Sequence, residues 1–179
     1  MSQIATTYAQ ALYDLAKEEN ITETVLQQLT ALQQVFSEEP EFLRLMMAAN
    51  LSKEERCRIL DDSFRGKAEP YVLNFMKILT EKGYMRHFAD CAKAYRQSYN
   101  QDHGILEVTA VTAIALTQAQ ADRLTEKLAK VTGKTIDLCN RVDPAVLGGV
   151  RLDYDGKRLD DTVSHRLASI GALLKNTVL

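Results

Sequence analysis

The chain has 179 residues, 46% of them hydrophobic and 26% charged, with a formal net charge of −2. That balance belongs to folded globular protein and excludes a disordered polyelectrolyte. A duplex nucleic-acid binder neutralises phosphates with a basic stripe, and no run of Lys or Arg supplies one here.

The first hundred residues read as helices. Over residues 2–18, Ile4, Tyr8, Leu12 and Leu15 recur at i, i+4, i+8 and i+11. This predicts one apolar stripe, with small Ala5, Ala9 and Ala16 beside it. The same stretch contains acids and no Arg, unlike a signal or transit peptide, and predicts a cytosolic or peripheral protein. A second helix begins near Thr22 and carries Val25, Leu26, Leu29, Leu32 and Phe36. Pro40 suits the first turn of a short third helix with Phe42, Leu45 and Met46. Ser52-Lys53-Glu54-Glu55 has the form of a capping box opening a fourth helix, with Ile59, Leu60 and Phe64 on one side and Gly66 after its end. The fifth segment, Pro70 to Gly83, is apolar in nearly every direction, so its whole circumference calls for cover. A sixth segment, Tyr84 to Asn100, carries Met85, Phe88, Cys91, Ala92 and Tyr95. Short connections predict antiparallel neighbours, hence a bundle.

The texture changes at Asp102-His103-Gly104. ILEVTAVTAIA is β-branched and apolar, as a strand requires. Thr117 to Gln120 forms another capping box, and Leu124, Leu128 and Val131 follow at helical spacing before a C-cap at Gly133. Residues 134–142 form a second strand. The stretch DPAVLGGVRLDYDGKRLDD is then either a phosphate-cradling loop or a hairpin. A two-residue turn at Asp155-Gly156 sets Tyr154 against Lys157, Asp153 against Arg158, Leu152 against Leu159 and Arg151 against Asp160. Val150, Leu152, Tyr154 and Leu159 then share one face and the opposed charges share the other. This explains the residues without a ligand. Gly148-Gly149 enter the hairpin, where missing side chains allow a bulge or close backbone approach. A final helix places Val163, Leu167, Ile170 and Leu174 on one face. The predicted fold is mainly α: a bundle of about six helices over residues 1–104, then a small α+β module of order β-α-β-β-α over residues 105–179.

Sites for chemistry are scarce. Gly133-Lys134-Thr135 mimics the end of a phosphate-binding loop, but the helix precedes it and presents carbonyls, which repel anions. His87, His103 and His165 are scattered. Cys57, Cys91 and Cys139 are odd in number and lack a CxxC, which points to buried free thiols in a reducing compartment rather than a zinc site. No catalytic residue, cofactor or metal is expected.

Val142-Asp143-Pro144, then Leu147-Gly148-Gly149-Val150, a hairpin, and an acidic residue leading into an Arg-bearing helix together carry a resemblance, as does the Tyr8-Ala9 to Ala11-Leu12 opening helix. Over its full length the chain resembles the delta subunit of bacterial F-type ATP synthase, whose mitochondrial equivalent is the oligomycin-sensitivity-conferring protein. It departs from that family at the hairpin tip, with Asp155-Gly156 in place of Gly-Asp. It departs again before the last helix, with Asp160-Asp161-Thr162 in place of Asp-Gly-Ser. The resemblance implies a non-catalytic stator subunit, one copy per complex, peripheral on the cytoplasmic face of the bacterial plasma membrane. Its bundle would grip the N-terminal segment of an alpha subunit between the first and fifth helices, at Tyr8, Leu12, Ala16, Met76, Leu79 and Thr80. Its last helix, through Val163, Leu167 and Ile170, would meet the C-terminus of the stalk b subunit. The competing reading is an RNA-binding antitermination protein, which would want a basic face or a GxxG loop; the chain has neither.

Overall fold

A computed structural model describes residues 3–48, 50–146 and 148–161 of the chain. The chain divides into two compact units, Met1–Tyr99 and Asn100–Leu179.

The first unit holds α1 (Gln3–Glu18), α2 (Thr22–Glu38), α3 (Pro40–Met47), α4 (Lys53–Phe64), α5 (Pro70–Glu81) and most of α6 (Phe88–Asp102). A 3₁₀ turn, Met85–His87, leads into α6, so the sixth helix starts four residues later than its apolar pattern suggests. The capping box of α4 is formed as expected. The Ser52 hydroxyl accepts from Glu55 N–H at 3.1 Å, and Glu55 accepts from Ser52 N–H at 2.8 Å. The hydrogen bond from the Ser52 N–H, and then the Ser52 hydroxyl beside it, hold the Glu55 carboxyl below the usual carboxylate range.

One core runs through the bundle, built on Val25, Leu29, Leu60, Val72, Met76, Leu79, Met85, Phe88 and Tyr95. Phe36 anchors an aromatic cluster within it, stacked on Phe42 at 5.5 Å and edge-on to Phe88 at 4.9 Å. Such pairs add ~0.5–1.5 kcal/mol each beyond area burial. Tyr95 lies fully inside, donates to the Thr22 carbonyl at 3.0 Å and meets the Tyr13 ring edge-on at 5.3 Å. An ion pair joins α4 to α5, with Lys77 Nζ 2.7 Å from Asp61.

The second unit is a four-stranded sheet in the order β2-β1-β3-β4. Strand β1 (Ile105–Thr112) runs parallel to β2 (Thr135–Val142), the two joined through α7 (Gln118–Thr132), and antiparallel to β3 (Val150–Tyr154). Strand β4 (Lys157–Asp160) closes the hairpin in the register read from the sequence, Arg151 against Asp160 through Tyr154 against Lys157. Asp155 and Gly156 both have positive φ, 49° and 70°, the signature of a type I′ turn. Arg158 Nε donates to Asp153 at 2.8 Å across the ladder. The capping box at Thr117 and Gln120 forms, and Gly133 takes the left-handed C-cap at φ 68°.

Asn140 fastens the start of the crossover. Its amide donates to the Ala110 carbonyl and the Thr112 hydroxyl, each at 2.9 Å, and its carbonyl accepts from Leu116 N–H at 2.8 Å. Helix α7 packs on the sheet, with Leu124 and Leu128 against the cluster of Leu106, Val108, Ala110 and Leu152. Two apolar residues of these faces are exposed. Val131, in the last turn of α7, is 86% exposed; Leu159 shares the face of buried Leu152 but sits on edge strand β4 and is 57% exposed. The last helix and its residues Val163, Leu167 and Ile170 lie outside the described residues.

Candidate functional site

The seam between α1 and α5 is the surface on which sequence and structure meet. Two contacts set the helices antiparallel. The Tyr8 ring meets Tyr84, just past the end of α5, edge-on at 5.9 Å. At the other end the Tyr71 phenol, in the first turn of α5, faces the Glu19 carboxylate just beyond α1. Glu19 as an acceptor, and then its charge, raise the Tyr71 pKa above the ordinary tyrosine value.

The six residues expected to line a groove divide sharply. Leu12, Ala16, Met76, Leu79 and Thr80 are buried in the bundle core, and the Thr80 hydroxyl donates to the Met76 carbonyl at 2.8 Å. Their burial follows from α1, whose small Ala5, Ala9 and Ala16 are themselves fully packed and let neighbouring helices approach. Tyr8 alone of the six is half-buried at the surface. In this structure the other five are core residues beneath the seam.

The surface itself is made by residues one step round each helix. On α1, Ile4, Tyr8, Ala11 and Leu15 fall within about 60° of arc at 100° per residue. Leu15, read from the sequence as part of the inner stripe, is 37% exposed, because the buried arc is centred on the alanine side. On α5, Tyr71 and Ile78 lie seven residues apart on one line, with Asn74 between them. Ile78 is 36% exposed, and with exposed Pro70, Asn74 and Glu81 it lies on the side of α5 that the bundle leaves open. No sequence pattern separates Leu15 and Ile78 from the core; the signal is the width of the arc that the neighbouring helices cover.

Other recesses carry no assembled chemistry. A cleft by α3 of about 670 Å³ is lined by Glu39, Phe42, Arg44, Leu45 and Ala48. A smaller one on α4 holds Lys53, Glu54, Cys57, Glu81 and Lys82. Burial and the Glu81 charge raise the Cys57 pKa, and burial pushes that of Cys91 up to about 11. Both stay thiols at neutral pH, not activated thiolates. Of the three cysteines expected to be buried, only Cys91 is; Cys57 is half-buried and Cys139 exposed on β2. No cluster of metal-ligating side chains and no helix long and apolar enough to cross a membrane occurs among the described residues.

The fold is a helical bundle followed by a small mixed-sheet module. That fold class is borne out by comparison with known proteins. The family model described as the ATP synthase delta (OSCP) subunit matches residues 4–174, and the chain belongs to that family, one of non-catalytic subunits of the ATP synthase. It is 35% identical to the ATP synthase subunit delta of Lacticaseibacillus casei (strain BL23), over 96% of this chain and 94% of the relative. It is 31% identical to that of Alkaliphilus oremlandii (strain OhILAs), over 91% of each. A chain in the cryo-EM structure of the Toxoplasma gondii mitochondrial ATP synthase hexamer shares the fold with a TM-score of 0.78 at 20% identity, covering 97% of this chain and 98% of that one.

Proposed function

We propose that this protein is a stator subunit of an F-type ATP synthase. It joins the N-terminal segment of the alpha subunit, at the α1/α5 seam, to the C-terminal end of the b subunit, through its C-terminal module. The observation that carries the reading is the open line on α1 and α5, where Leu15 and Ile78 are each more than a third exposed beside half-buried Tyr8 and Tyr71. A partner helix laid along the seam would cover these side chains with its own apolar face. The buried residues Leu12, Ala16, Met76, Leu79 and Thr80 then support the seam from beneath, and Leu15, Tyr71 and Ile78 join Tyr8 as its contact surface.

Clamping is the mechanism, not chemistry. A protein attached at once to head and stalk makes each attachment effectively intramolecular, so two modest contacts together resist a torque neither would resist alone. Without the link, head and stalk would turn together, and ion flow would no longer drive ATP synthesis. The molecule acts once per complex, peripheral on the cytoplasmic face of the membrane. The contact with b is assigned to Val163, Leu167 and Ile170.

Calorimetric titration of the full chain with a synthetic alpha N-terminal peptide tests the reading. Saturable one-to-one binding, abolished in Ile78→Asp with unchanged far-UV circular dichroism, is expected. Absence of binding by the wild-type chain overturns it.

A further inference from the structure

Resting on the seam as the docking site, we propose that charge sets the direction of its occupant: an amphipathic helix whose cationic end lies over the last turn of α1. The two ends of the seam differ in sign. Where α1 finishes and α5 begins, Glu18 and Glu19 are exposed and Glu69 is half-buried at the N-cap of α5. Lys17 is the base in that turn, and it projects about 200° round the helix from Leu15, away from the seam. Glu19 faces the Tyr71 phenol at the mouth of the seam.

At the far end, Lys82 and Arg86 are exposed, while the nearby acid Glu81 turns toward α4, its carboxylate 4.0 Å from Cys57 Sγ. From Ile4 to Glu18 the seam runs about 21 Å at 1.5 Å per residue. That exceeds two screening lengths at physiological salt, so the ends act as separate fields. A helix of about 14 residues fits the length. Laid one way it sets its cations over Glu18 and Glu19; reversed, it sets them against Lys82 and Arg86, and like-charge juxtaposition disfavours that arrangement. The apolar line therefore holds the occupant, and the charges choose which way it points.

The test titrates the alpha N-terminal peptide at about 20 mM and about 300 mM salt, where screening lengths are ~20 Å and ~6 Å. The wild type is compared with Glu18→Lys/Glu19→Lys, Glu18→Gln, Glu38→Lys and Leu15→Asp. At low salt the double reversal is expected to weaken binding about ten-fold and Glu18→Gln about two- to three-fold, with both effects collapsing at high salt. Glu18→Gln leaves Glu19 and Tyr71 untouched and so separates charge from structure. Glu38→Lys, the same kind of reversal on α2, leaves affinity unchanged. Wild-type affinity in the double variant at low salt, or an equal loss in Glu38→Lys, overturns the charge assignment. The groove reading fails separately, if Leu15→Asp binds as the wild type does at both salts.

Discussion

Leu12 and Leu15 are three residues apart on α1, both belong to one apolar stripe in the sequence, and aspartate at each should have opposite consequences. Leu12 is 5% exposed within the core, and Leu15 is 37% exposed at the seam. Replacing Leu12 removes the burial of a leucine side chain, worth ~1.5–3 kcal/mol. It also strands a carboxylate away from water, which costs several kcal/mol more after relaxation. The sum is about 5 kcal/mol or more. A unit of this size has a total stability of only ~5–15 kcal/mol. Leu12→Asp should therefore leave the bundle unfolded or close to it. At Leu15 the new carboxylate turns into solvent, and the cost is about 1 kcal/mol from lost partial burial, lower helix propensity and an acid near a helix C-terminus. Leu15→Asp should stay folded and lose the alpha peptide. Urea titration followed by far-UV circular dichroism, paired with calorimetry on the same samples, reads both quantities. A folded Leu12→Asp with a near-wild-type urea midpoint and no peptide binding would refute the reasoning, for Leu12 would then face an open groove.

Two further outcomes are expected in the second unit. Asn140→Ala removes the acceptor of Leu116 N–H and the donor to Ala110 and Thr112, and should destabilise the module by roughly 2–3 kcal/mol. Amide exchange at Leu116 should quicken, and an unchanged rate would mean that the loop is held by something else. The Asp153 carboxyl sits below the usual carboxylate range, chiefly through its hydrogen bond from Arg158. Its folded value lies below its unfolded one, so its contribution is complete above about pH 4 and fades as pH falls through the folded value. Asp153→Asn should flatten that acid limb in a pH series of urea midpoints, and an unaltered limb would assign the acid sensitivity to another carboxylate.

Features that depend on a few adjacent residues were legible in the sequence. Both capping boxes need a hydroxyl at the N-cap and an acid or amide three residues on, and Ser52 with Glu55 and Thr117 with Gln120 form them. Gly133 supplies the left-handed conformation that ends α7. Asp155-Gly156 imposes a turn whose geometry dictates every cross-strand pair of the hairpin. The resemblance carried the fold order as well, because the VDP and LGGV stretches stand at fixed distances from that hairpin.

Tertiary structure decided the rest. Periodicity says which residues share a side of a helix but not how wide an arc the neighbours cover, so it grouped Leu12 with Leu15 although one is core and the other surface. The same limit hid which side of α5 is covered, the side that buries Met76, Leu79 and Thr80 and leaves Ile78 in the open. Val131 and Leu159 are apolar by pattern yet exposed, one in the last turn of α7 and the other on an edge strand. Strand order is equally non-local: β1 takes β2 on one side and β3 on the other, and no single strand carries that information. Local chemistry sets the caps, turns and registers. The boundary between core and docking surface is drawn by how closely separate helices approach one another, a property of the assembled bundle and of no segment within it.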